Sequence, residues 1–211
     1  MGCPTVSNRD PMDEGVFRLV RKAVDYKKSL CILFYDDEYL CSTDKYVVVV
    51  GKDGQFLANN IDYERIAAAK PSDFRIKPLK ETSPLVKEVE KRGRAISEFY
   101  WQTAFHMSNG ELLEGCREED VVNIKQWPNF TRLVRTPNTY RITALLTERA
   151  TSLDMVARLL EIQISEVNQY YSAAYHAGYA EVLNRPPEKD IQLTPHHAIG
   201  IIKQLINRFR R

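Results

Sequence analysis

Glycine and cysteine are scarce in this chain, and neither falls where a common chemistry would place it. Nine of the 211 residues are glycine. They spell neither the G-x-G-x-x-G turn that seats a dinucleotide nor the G-x-x-x-x-G-K-[ST] loop that cradles phosphates; Gly51-Lys52-Asp53-Gly54 lacks the Gly-Lys-Ser/Thr step. The cysteines, Cys3, Cys31, Cys41 and Cys116, form no C-x-x-C pair, and none has a histidine at zinc-ligand spacing, which argues against a zinc scaffold or a disulfide framework. G-x-S-x-G and H-E-x-x-H are absent. No apolar run approaches the roughly 20 residues of a membrane helix. Residues 1–15 are polar and lack the apolar stretch of a secretory signal. Met1-Gly2-Cys3 opens like a myristoylation site, but Val6 stands where Ser or Thr is required. The expectation is a protein of the reducing cytoplasm, without a membrane span, cofactor or bound metal.

What is present is the composition of a folded chain, 44% hydrophobic and 27% charged, long enough for one large core or two small ones. The net charge of +2 conceals an asymmetry: residues 1–124 hold 18 basic and 21 acidic side chains, and residues 125–211 hold 12 basic and 7 acidic. The two parts therefore present different fields to partners.

Residues 1–14 read as a flexible lead. Val16, Leu19, Val20, Ala23 and Val24 recur at helical spacing. Residues 30–35 and the β-branched run 45–50 read as strands. Asp53-Gly54 marks a hairpin turn that pairs 47–50 with 55–58. Residues 61–69 read as a helix, 74–79 as an edge strand limited by Pro78, and Ser83-Pro84 as a helix start. A longer helix spans 96–107 and stops at Ser108-Asn109-Gly110. Asp36-Asp37-Glu38, after a strand, is the residue type that binds Mg²⁺, but it lacks matched downstream Thr/Ser and Lys partners and reads as a solvated turn. Trp127-Pro128-Asn129-Phe130 reads as a packing plug. These elements predict an α+β chain: a flexible lead (1–14), a mixed α+β sensory or interaction domain (15–116), and a helical domain (117–211) ending in an amphipathic helix.

In the C-terminal part, residues 140–147 read as a helix. Thr151 and Asp154 fit a capping box opening a second helix, Ser165 is a fresh N-cap, and the third helix ends at Gly178 before a strand at 179–183. The segment Val156-Ala157-Arg158-Leu159-Leu160-Glu161-Ile162-Gln163-Ile164-Ser165-Glu166-Val167 resembles a helix-turn-helix: Ala157 sits where the helices cross, Ile162 plugs the turn, and Val167 packs the second helix back. With the strand that follows, residues 140–183 resemble the winged-helix family. Glu161 departs from it, since the family usually has glycine at that turn. The resemblance implies a module whose third helix either enters a DNA groove or meets a protein.

The third helix carries no Lys or Arg, and Glu161 and Glu166 have the wrong sign for phosphates. Its tyrosines instead suggest an aromatic face. The primary expectation is a non-enzymatic regulatory or signalling adaptor that binds a protein partner or a second copy through Tyr170, Tyr171, Tyr175 and the terminal helix residues Ile202 and Phe209. The alternative is a DNA-binding transcription regulator with an N-terminal sensory domain. It would use Asn168 and Gln169 on base edges and Arg141, Arg149 and Arg185 on phosphates, with Arg132 and Arg135 adding to the basic surplus nearby. A third reading, an enzyme, rests on Cys116 as a lone candidate nucleophile. His196 and His197 lack the company a metal would need.

Overall fold

The computed structural model describes residues 15–35, 45–51 and 53–185. The expected lead at 1–14, the Asp36-Asp37-Glu38 cluster and the terminal helix with His196, His197, Ile202 and Phe209 lie outside the described residues. The chain divides into two compact units between Gly93 and Arg94.

The N-terminal unit runs α1 (Val16–Asp25), β1 (Ser29–Phe34), β2 (Tyr46–Val50), β3 (Gln55–Asn59), α2 (Tyr63–Ala68), β4 (Phe74–Pro78) and α3 (Pro84–Arg92). Its four strands pair antiparallel in the order β4–β1–β2–β3. The hairpin β2–β3 closes through Gly54, whose φ of +59° an L side chain rarely adopts, and its register pairs Val50 with Gln55. Side chains alternate across the sheet. Ile32, Phe34, Val47, Val49 and Phe56 are buried on one face. Cys31 and Leu33 turn to the other, where Val86 and Val89 of α3 meet them. Helix α1 packs on β1 and β2 and buries Val16, Phe17, Val20 and Ala23, a single stripe at helical spacing.

The C-terminal unit runs β5 (Arg94–Ala95), α4 (Ile96–Ser108), β6 (Val121–Ile124), α5 (Thr139–Glu148), β7 (Thr151–Ser152), α6 (Leu153–Leu160), α7 (Ile164–His176) and β8 (Ala180–Val182). A small antiparallel sheet has the order β7–β6–β8, so a strand from upstream of α5 lies between the two that flank the α6–α7 pair. The expected boundary at 116/117 is corrected by the packing. Helix α4 runs against α7, and its Trp101 and Phe105 share one buried cluster with Val167, Tyr170 and Ile142. Trp101 is the hub: its ring lies 5.7 Å from Phe130, 5.6 Å from Tyr170 and 5.9 Å from Tyr179, each near edge-to-face. Its indole N–H donates to the Val134 carbonyl at 2.8 Å, which satisfies the one polar atom so deep a ring carries.

Two expected caps are not formed. Thr151 lies in β7 and its hydroxyl donates to the Arg149 carbonyl at 3.0 Å; Ser152 precedes α6, and Asp154 pairs with Arg158 at 2.8 Å one turn on. Gln163 takes the N-cap of α7 in place of Ser165. Among the described residues no helix is long and apolar enough to cross a membrane.

Candidate functional site

The α6–α7 junction is a tight turn built on Glu161, which adopts the left-handed conformation (φ +55°, ψ +48°). The Glu161 and Ile162 amides bond back to the Arg158 and Ala157 carbonyls at 3.3 and 3.1 Å, closing the end of α6. Ala157 and Ile162 pack against the core and Val167 is fully buried. Glu161 thus closes the turn in a left-handed conformation that glycine adopts without steric cost. A polar brace ties the three helices. The Glu166 carboxylate accepts from the Asn138 amide N–H and side-chain Nδ2, both at 2.9 Å. Arg141 donates to Asn138 Oδ1 at 2.9 Å and to the Leu160 carbonyl at 3.0 Å. Burial pushes the Glu166 carboxyl up, but hydrogen bonds from Asn138 and Thr136 outweigh it and hold it below the usual carboxylate range.

The proposed outward aromatic face is corrected by burial. Tyr170 and Tyr171 are fully buried and Tyr175 is half-buried: Trp101 of α4 covers Tyr170, and the segment around Gly115 and Asp120 lies against Tyr175 and Tyr171. Tyr170 shares a hydrogen bond with Thr143 at 2.8 Å. The expected base readers are also committed: Asn168 Nδ2 donates to the Gly110 carbonyl at 3.3 Å and Gln169 Nε2 to the Phe105 carbonyl at 3.1 Å. These amides hold α7 to α4 and its terminal turn, which corrects their assignment to adenine. Arg141 is exposed but engaged in the brace, and Arg149 is exposed at the end of α5.

Arg185 is corrected from phosphate contact to an internal ion pair. Its Nε lies 2.6 Å from Asp120 Oδ1, and its Nη2 donates to Oδ2 at 2.9 Å and to the Gly115 carbonyl at 2.5 Å. Asp120 is fully buried and also accepts from the Tyr171 hydroxyl at 2.5 Å and the Arg117 amide at 2.9 Å. Burial pushes its carboxyl up; the bonds from Arg185, Tyr171 and Arg117 prevail and lower it. Cys116 borders this cluster. Burial pushes its thiol up to about 12, against hydrogen bonds with Ser172 and Tyr171, so it stays protonated at neutral pH and is a poor nucleophile. The sequence offered no sign of the Asp120–Arg185 pair, since 65 residues separate its members.

Two exposed apolar regions were not foreseen. On α6, Met155 and Leu159 stand one turn apart, 41% and 51% exposed, and Ile164 at the opening of α7 is 45% exposed. On the loop before α5, Trp127 is 50% exposed, which corrects its reading as a plug; Phe130 fills that role. Compared with protein-family models, curated proteins and solved structures, the chain matches none.

Proposed function

We propose that this chain is a non-enzymatic regulatory adaptor whose C-terminal unit, similar to a winged helix, docks a protein partner or a second copy. The observation that carries this reading is the apolar strip on the helix-turn-helix, Met155 and Leu159 on α6 with Ile164 just past the turn. Three large apolar side chains left in water within ten residues of chain suit a contact surface better than a core. The internal use of Asn168, Gln169 and Arg185 weighs against groove reading by α7.

Fluorescence anisotropy with a labelled random-sequence duplex, at low and at physiological salt, separates the adaptor from the DNA regulator. The adaptor gives no binding at low salt. Tight binding that collapses with added salt, and that reversal of Arg141 and Arg149 abolishes, overturns it. Leu159→Glu should leave stability within about 0.5 kcal/mol, as for an exposed site, while weakening any self-association or partner complex read by sedimentation.

A further inference from the structure

We infer that the loop between β6 and α5 forms a second, separate docking surface, one for an acidic peptide with apolar side chains. Residues 125–141 hold four cations, Lys125, Arg132, Arg135 and Arg141, and no Asp or Glu. Lys125, Arg132 and Arg135 are exposed. Among them stand two partly exposed rings, Trp127 (50% exposed) and Tyr140 (47%). Both rest on buried Phe130, with centroids 6.4 and 5.2 Å from it. Trp, Tyr and Arg are the side chains that dominate binding energy at protein interfaces.

The surface is held in shape. Trp101 Nε1 donates to the Val134 carbonyl at 2.8 Å and Gln102 Nε2 to the Arg132 carbonyl at 2.7 Å, so two neighbouring residues of α4 clamp the loop. A loop already ordered loses little freedom on binding. Among the described residues, the carboxylate paired with these cations is Glu98, 3.7 Å from Arg132, and Arg132 remains 59% exposed beside it.

Cations with aromatics also describe a single-stranded nucleic-acid platform, which stacks successive bases on open ring faces. Tyr140 has no such face to give. The Arg135 guanidinium lies over it, 5.5 Å from the centroid, Nη1 donates to its hydroxyl oxygen at 2.6 Å, and Phe130 meets it near edge-on. Trp127 alone is open, and one ring does not stack a strand. A peptide needs only that: one apolar side chain on Trp127 and carboxylates on the cations around it.

The chain's two tryptophans supply the readout, since Trp101 is fully buried and Trp127 is not. The full chain is titrated with a tryptophan-free peptide of repeating Glu-Glu-Leu, with its Lys-Lys-Leu counterpart and with oligo(dT), following acrylamide quenching. The acidic peptide should shield the exposed tryptophan and bind less tightly as salt rises. Lys125→Glu and Arg135→Glu, and Trp127→Ala followed by anisotropy of labelled peptide, should each weaken binding roughly tenfold or more. Lys87→Glu, on exposed α3 of the other unit, should not. No shielding at low salt, equal binding of the basic peptide, indifference to all three variants, or tighter binding of oligo(dT) overturns the proposal. None of these outcomes touches the α6 strip, so the two surfaces stand or fall separately.

Discussion

A fully buried carboxylate is costly to leave unpaired, and Asp120 sets a measurable dependence on its partners. Arg185, Tyr171 and the Arg117 amide together fill its lone pairs. Removing its charge takes from Arg185, 12% exposed at the side chain, the carboxylate 2.6 Å away. Asp120→Asn should therefore cost about 3–5 kcal/mol at neutral pH, as breaking a buried pair does, measured by urea unfolding. The pH dependence has a definite sign. The native carboxyl titrates below its unfolded value, about 3.9 for a free aspartate. The pair's contribution is therefore complete above that pH and is lost as pH falls through the lower native value. The gap between wild type and Asp120→Asn should be wide at neutral pH and narrow only below about pH 4. A gap that does not change with pH would show that Asp120 acts through shape alone.

At the scale of elements, the turn between α6 and α7 carries a conformational cost that its sequence does not avoid. Glu161 sits at φ +55°, where an L residue pays roughly 1–2 kcal/mol and glycine does not. Glu161→Gly should stabilise the protein by about 1 kcal/mol or less, after the extra freedom glycine gives the unfolded chain. Glu161→Val, β-branched, should destabilise it; thermal melts read both. The elements themselves were legible because their signals are local. The Asp53-Gly54 turn fixed the β2–β3 hairpin, Pro78 sits at the end of edge strand β4, and Val167 packs back into the core as its place after the turn implied. The faces were less legible. A tyrosine-rich helix reads the same whether its rings meet water or protein, and only long-range packing on α7, by α4 at Tyr170 and by the segment around Gly115 and Asp120 at Tyr175 and Tyr171, decides it. The Thr151–Asp154 box failed for a related reason: pairing of Val122 with Thr151 drew that residue into β7.

At the scale of the whole molecule, the position of α4 settles where the chain can be cut. Trp101 touches Phe130, Tyr170 and Tyr179, three rings that come from separate parts of the C-terminal unit. A fragment starting at residue 94 keeps that hub, the Gln102 clamp on the 132–134 loop and the carbonyl of Phe105 that takes Gln169. A fragment starting at 117, the boundary that the order of predicted elements favoured, loses all three and uncovers Tyr170 on α7. Burial of a large aromatic or aliphatic side chain is worth about 1.5–3 kcal/mol, so losing Trp101 and Phe105 and uncovering Tyr170 removes roughly 5–9 kcal/mol, on the scale of the ~5–15 kcal/mol net stability of a typical domain. Residues 94–211 should give a cooperative melt and a near-ultraviolet circular dichroism band from Trp101 held among its three rings. Residues 117–211 should keep helical far-ultraviolet signal but show no cooperative transition and bind a hydrophobic dye. Cooperative folding of the shorter fragment would mean that α4 leans on α6 and α7 without completing their core. In that case the α4 side of α7, with Tyr170, would again be a surface open to partners.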